Sequence, residues 1–586
     1  MELKDIKSPR DIKNLGIDEL KVIASQMRDA ILYRTSKIGG HVNPNLGTVE
    51  AILAMHYVFD APTDKLIFDV SHQAFPHKML TGRIDGYIDE NCFDKVGEYT
   101  DPTESPEYDL FYAGHTSPAL SLSVGVAKAR DLKGEKYNVV SFIGDGALSG
   151  GMAFEGLDAG GALNSNLICI FNDNQMAIAE NHGGMYENFT KLRETNGTAD
   201  NNLFKSFGWD YIYVAEGNNI EKLIEAFKTV KNSPKPVVVH INTQKGEGYV
   251  PAEKDREGWH FHSPFDISTG QLLEAPHGES YEKVFKRVIE KNIEKYPELL
   301  VISSATPGDL GLNAREREKL GTHYMDVAIA EQTGVSVMAG AAKNGAKVVY
   351  GVVGTFLQRA YDQLLEDWAM DQSPSLMVVM MTGVNAINDK THLGFWDIPM
   401  ITSIPDIIYL APTNIEEFEA MMQWAIDQDR YKVAIRQPVY SIQHAEGDVE
   451  TDYSDINKFK VVRKGNRVAI IAAGDFFVKG QQVAGMLAEK GVEATLINPR
   501  FISGVDNELI DSLKDSHEVI VTLEDGSVDG GFGQRVASVA GPTGMKTLNY
   551  GLRKEFEDHF KPSELEEKNR LTPTQITDDI IRILNL

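Results

Sequence analysis

Short apolar runs of strand length recur along this chain, and each is followed by a longer mixed segment of helix length. The first block holds "NVVSFIGDG", "NLICIFNDN" and "KPVVVHINT". The second holds "ELLVISSAT", "AKVVYGVVGTF", "SLMVVMMTG" and "DIIYLAPTN", and the third "RVAIIAAGD", "VEATLINPRF" and "HEVIVTLEDGS". Strand-like runs alternating with helical segments predict parallel α/β layers. The expected architecture is α/β, with three consecutive domains of mostly parallel sheet spanning about 1–270, 271–455 and 456–586. The Gly-, His- and Pro-containing stretch from Lys245 to about Pro276 reads as loop and linker, and the acidic "EGDVETDYSDINK" closes the second domain.

Composition then narrows the function classes. No apolar stretch approaches the roughly 18 to 20 residues that span a bilayer, so a membrane protein is not expected. With 85 acidic residues against 58 basic ones, the formal charge of -27 repels a nucleic-acid backbone. The polar N-terminal segment "MELKDIKSPRDIKNLG" lacks the apolar core of a secretory signal. Only Cys92 and Cys169 are present, too few for a disulfide framework or a Cys-based zinc site, which leads us to expect the reducing cytoplasm. A phosphorylated ligand would have to be held locally, by glycine-turn amides, helix N-termini or a metal.

Gly144-Asp145-Gly146 is predicted at the carboxyl end of a strand, where open parallel sheets take ligands. Gly144, Gly146 and the turn at Ala147 let the backbone approach a phosphate, whose charge the N-terminus of the helix containing Met152 to Ala159 stabilises. Asn174 follows Asp145 by 29 positions, one helix plus one strand, so a βαβ unit brings both side chains to one sheet edge. Magnesium takes about six oxygens, a few from protein and the rest from phosphate and water, and a carboxylate with an amide carbonyl suits it. A tight turn and a polar loop would explain either motif alone; their spacing favours a metal and diphosphate site.

This arrangement resembles the thiamine-diphosphate motif of transketolase-like enzymes, which runs from a GDG to a later Asn. The resemblance narrows to the 1-deoxy-D-xylulose-5-phosphate synthase family through "GGHVNPNLGTVE", "DVSHQAFPHKMLTGR", "GDGALSGGMAFE", "NDNQMAIAEN", "KGEGYVPAEKD", "DVAIAEQ" and "TFLQRAYDQ", which follow the family's order over almost the whole chain. It implies thiamine diphosphate and Mg2+ as cofactors, with Asp145, Asn174 and the main-chain carbonyl of Met176 on the metal. Thiamine carries its own difficult chemistry, and the protein must help remove its C2 proton and exclude water. The resemblance gives Glu331 in "DVAIAEQ" the task of protonating the aminopyrimidine ring, and Phe356 that of stacking on it. It places His72 and His115 toward the diphosphate, and His41, His262 and His392 around the reacting carbon, with His260 competing for the place of His262. Lys254 in "PAEKD" falls near the diphosphate, and Arg359 is retained. A solvated helix-start acid, a core Phe, structural histidines and a surface Lys are the plainer readings of the same residues.

The match fails where the family grips the acceptor's phosphate with a Tyr and two Arg. Val353-Gly354-Thr355-Phe356 replaces the Tyr motif, and Met381 and Val439 stand at the two Arg positions; Arg436 survives. Thr333 replaces a His, and Asn388, beside Asp389, replaces an acid. Each lost guanidinium fork removes charge-assisted bonds of roughly 1.5 to 3 kcal/mol. The expectation is a transferase that decarboxylates pyruvate and joins the two-carbon unit to an aldehyde, either glyceraldehyde 3-phosphate or a less charged or differently placed acceptor. A place in isoprenoid biosynthesis and a homodimer follow from the resemblance. Ketol transfer between sugars and a noncatalytic cofactor-binding scaffold are the alternatives.

Overall fold

The computed structural model describes residues 1–274, 278–371, 373–439 and 442–586. The apolar runs become parallel strands because both faces of each are covered. Val140, Phe142, Ile168, Ile170, Val237 and Val239 enter one apolar cluster, while Val139, Ile143, Leu167, Cys169, Phe171 and Val238 enter another. Successive side chains point to opposite faces, so an unbroken apolar run is what a sheet between two helical layers requires. Each large side chain so buried stabilises the fold by about 1.5–3 kcal/mol.

The chain divides into two compact units, Met1–His277 with Ala328–Ala330, and Gly278–Val327 with Glu331–Leu586. In the first, the sheet order is Lys65–Phe68, Val139–Gly144, Leu167–Asp173, Pro236–Asn242 and Asp210–Val214, all parallel. Gly144 lies opposite Asn172, and Asp173 opposite Asn242, so three neighbouring strands end together. A small antiparallel pair joins Gly40–His41 to Phe261–His262.

The second unit carries two sheets. One is parallel throughout, in the order Ile407–Leu410, Lys432–Arg436, Ser375–Met380, Lys347–Val353, Leu299–Ser303, Tyr324–Asp326. The other runs Lys460–Arg463, Thr495–Asn498, Arg467–Ala472, His517–Ser527, Lys546–Leu552, with only its first strand antiparallel. The second and third expected domains share this unit because Ile471, Ile497 and Ile520 pack in the same apolar cluster as Ile302, Tyr350 and Met377. Both cysteines are free, and no helix among the described residues is long and apolar enough to cross a membrane.

Candidate active site

Asp145 is the residue after the strand Val139–Gly144 and is only 1% exposed. Its N–H donates to the carbonyl of Asn172 at 3.0 Å, which locks the two strand ends side by side. Asn181 Nδ2 donates to Asp145 Oδ2 at 2.6 Å, and Tyr186 Oη donates to its carbonyl at 3.1 Å. Burial, with the charge of Asp173 second, pushes the Asp145 carboxyl up to about 7. Asp173 itself is spent on structure, paired with His240 at 2.9 Å and with Arg193.

Asn174 begins the loop that follows. Its Oδ1 accepts the Met176 N–H at 3.1 Å, and Met176 bridges to Glu180, so the loop folds back beside Asp145. Gly146 lies under this loop: a Cβ there would fall 2.9 Å from both Cα and Cβ of Ala177. Gly146→Ala should therefore push the 174–181 loop outward and weaken cofactor uptake about tenfold or more, since overpacking costs ~1–3 kcal/mol. Calorimetric titration with magnesium present checks this.

The lysine buried at this sheet edge is Lys245. Lys245 is 2% exposed, and its Nζ donates to the carbonyls of Ala177 at 2.5 Å and Ile178 at 3.2 Å. Burial pulls its ammonium down to about 7, opposed by the charge of Asp145. Lys254 ends the helix Val250–Lys254 with an exposed side chain. The available signal was position: Lys245 follows the strand Pro236–Asn242, but that this strand neighbours Leu167–Asp173 is a tertiary fact.

These groups fit a divalent cation with a diphosphate. The donors are all oxygens, the hard set that magnesium prefers. A buried carboxyl whose charge is opposed by a second acid is a place where a cation lowers the free energy. In the same loop the buried Oδ1 of Asn181 has no hydrogen-bond partner.

His41, His72 and His260 form a ring cluster, with centroids 5.3 Å apart for His41 and His72, 5.5 Å for His41 and His260, and 5.3 Å for His72 and His260. Burial, then the nearby charge of Lys245, holds the His260 ring well below the usual range and keeps it neutral. His262 is not in this cluster. It stacks on Trp259 at 3.9 Å, and its Nδ1 meets the Ser263 carbonyl at 2.7 Å, whereas His260 is the one of the two that packs against His41 and His72. His115 lies on the loop before the helix Ala119–Lys133, whose start Asp69 pins by accepting from the N–H groups of Ser117 at 2.7 Å and Ala119 at 3.0 Å.

In the second unit Glu331 opens the helix Glu331–Lys343, yet it is 2% exposed, which excludes a solvated helix-start acid. Its Oε2 accepts no hydrogen bond and lies 3.4 Å from Arg359 Nη1. Burial raises the Glu331 carboxyl, and Arg359 offsets part of that rise. Such an orphaned carboxyl oxygen fits a ring nitrogen as its partner. Phe356 meets His392 edge to face at 5.5 Å, and His392, 6% exposed, is oriented by Thr391 Oγ1 at 2.8 Å and Asp389 at 3.7 Å.

None of the substituted acceptor positions supplies a cation. Val439 donates its N–H to Asp475 at 2.9 Å, and Asn388 Nδ2 donates to the Phe560 carbonyl at 3.1 Å. Arg436 is consumed in a buried pairing with Asp397 at 2.7 Å and with Asp525 of the third sheet.

Comparison with known proteins gives the family. Residues 3–200 match the family model for 1-deoxy-D-xylulose-5-phosphate synthase, 278–442 the transketolase pyrimidine binding domain and 457–576 the transketolase C-terminal domain. Residues 120–298 also match the transketolase thiamine diphosphate binding domain. A 1-deoxy-D-xylulose-5-phosphate synthase of Symbiobacterium thermophilum is 36% identical, covering 98% of this chain and 93% of its own. One of Trichodesmium erythraeum is 34% identical, covering 99% and 98%.

Proposed function

The chain belongs to the 1-deoxy-D-xylulose-5-phosphate synthase family, transketolase-class transferases that use thiamine diphosphate with a divalent metal, and from that premise we propose how its own residues serve the reaction. Asp145, Asn174 and the Met176 carbonyl hold the magnesium ion. The backbone of Gly144, Gly146 and Ala147, with Lys245, holds the diphosphate. Glu331 offers a proton to the aminopyrimidine ring, its carboxyl raised by burial, with Arg359 limiting how far it rises and Phe356 supplying an aromatic face. When bound, thiamine diphosphate supplies a carbon nucleophile and the electron sink for decarboxylation.

His41 and His392 move protons on substrate oxygens, a task suited to imidazole near neutral pH, while the neutral His260 ring serves as a hydrogen-bonding group and His72 and His115 lie toward the diphosphate. The donor is pyruvate, and the acceptor is an aldehyde. The observation that carries the reading is the buried Glu331, whose Oε2 accepts no hydrogen bond and whose carboxyl burial raises above the usual range, as proton donation to a ring requires.

Met381, Val353 and Val439 offer no cationic grip, so an acceptor phosphate is held less well than the family's Tyr and two Arg would hold it. With pyruvate as donor, unphosphorylated or differently charged aldehydes are expected to exceed glyceraldehyde 3-phosphate in kcat/KM by about tenfold or more. Carbon dioxide release and product mass measure this. Low-micromolar use of glyceraldehyde 3-phosphate would refute the rebuilt pocket, and ketose donors reacting without carbon dioxide release would favour sugar-to-sugar transfer. A homodimer acting in the cytoplasm completes the proposal; the two free cysteines accord with a reducing compartment.

A further inference from the structure

His41 has a partner that the metal and diphosphate site does not use. Its Nδ1 lies 2.5 Å from Oε2 of Glu98, and its backbone N–H donates to the same oxygen at 3.3 Å. Burial works against an ionised Glu98, but the His41 ring and the bonds it gives, with Arg34 behind them, hold the carboxyl below the usual range. With a carboxylate oxygen as its neighbour, Nδ1 is the ring nitrogen placed to donate, and Nε2 is the one left for a substrate.

Two further observations show that the pair is built. At Gly40, where φ is +132°, an added Cβ would fall 2.4 Å from Oε1 of Glu98, so a glycine is what lets the carboxylate reach the ring. The backbone on both sides of Glu98 is also clamped by buried groups. Arg34 Nη2 donates to the Val96 carbonyl at 2.6 Å and Lys78 Nζ to the Gly97 carbonyl at 2.8 Å. Gly97 N–H donates to Glu104 at 2.7 Å, and Thr100 N–H to Ser71 Oγ at 2.8 Å. A side chain on so constrained a segment has little freedom to lose when it engages its partner.

We propose that Glu98 is the positioning residue of His41: it fixes the Nδ1–H tautomer and the ring plane, so that Nε2 acts as the proton acceptor toward a substrate hydroxyl. The proposal rests on the reading of His41 given above. The proton passes from the substrate oxygen to Nε2, Glu98 offsets the charge of the imidazolium so formed, and the proton returns to the substrate later in the cycle. The pair does for His41 what the buried acid of a catalytic triad does for its histidine.

The test uses the full chain with 15N-labelled histidine and no cofactor, His41 being assigned by comparison with H41Q. Wild-type protein is expected to show His41 protonated at Nδ1, with a low-field proton resonance. E98Q, whose amide can donate, should lose that resonance and swing the tautomer; G40A should lose it by displacing the carboxylate, and E98D should restore part of it. With substrates, E98Q should lower kcat roughly 10- to 100-fold while the donor KM moves less than about threefold and cofactor uptake is unchanged. An Nε2-protonated His41 in the wild type, an unchanged tautomer in E98Q, or a swung tautomer with normal kcat each overturns the proposal. A wild-type chain that converts no pyruvate and aldehyde pair counts instead against the synthase reading, and the resonance comparison still decides the pair.

Discussion

Glu331→Gln is expected to lower turnover about 10³-fold while leaving the fold and the uptake of thiamine diphosphate nearly unchanged, because positioned acid catalysis contributes roughly 10² to 10⁴. The amide keeps the shape of the buried side chain and has no proton to pass. The thermal behaviour gives an independent check. A carboxyl raised above its unfolded value binds its proton more tightly in the folded state, so its contribution is present at acid pH and is lost as pH rises from the ordinary Glu range through the raised value. The variant should therefore melt at or above wild type in mildly alkaline buffer and lose that advantage as the medium turns acidic. Steady-state rates and calorimetric melting over that range test both halves. Turnover within tenfold of wild type would remove Glu331 from the mechanism.

Asp145→Asn is the second large effect. In the presence of magnesium it should weaken cofactor uptake at least ~100-fold, about 2.7 kcal/mol, by removing the carboxylate that we assign to the metal. The ligand-free variant should nevertheless melt higher than wild type at neutral pH and above. Burial and Asp173 raise the Asp145 carboxyl to about 7, so ionising it costs folding stability, and that stability is lost as pH rises through this value. Asparagine avoids the cost. Chelating the metal from wild-type protein should reproduce the loss of cofactor uptake. Titration calorimetry and melting curves are the measurements; uptake equal to wild type in the variant would sink the assignment of Asp145 to the metal.

The opposed signs of these effects share a physical origin. Asp145 and Glu331 are both buried where an ionised carboxyl is unfavourable in the ligand-free chain. Strain of this kind is common at functional sites, where stability is given up for chemistry. The Arg436 pairing with Asp397 and Asp525 is the contrast: its guanidinium is held between two buried acids and is not free to grip a substrate phosphate.

Some of this was legible in the linear chain. Unbroken apolar runs such as Val139–Gly144 and Leu167–Asp173 demand cover on both faces, which made parallel α/β layers readable. The interval between Asp145 and Asn174 made one sheet edge readable, because a strand, a helix and a strand leave little choice of where the second strand ends. Which of two similar residues faces a site was not legible. His260 and His262 both lie in one short stretch, and only the packing of Trp259 against His262 separates them. Lys245 and Lys254 differ in the same way, since their roles turn on which strand borders Leu167–Asp173.

The chain by itself determined the layer architecture, the spacing that brings Asp145 and Asn174 to one sheet edge, and the acid that opens the helix at Glu331, because periodicity and local spacing are written in neighbouring residues. The tertiary structure decided that Glu331 is buried with an unpartnered oxygen, that Lys245 supplies the cation beside Asp145, and that Glu98 reaches His41 past Gly40. Those outcomes depend on contacts between segments far apart in sequence, where burial and charge are set by what packs alongside.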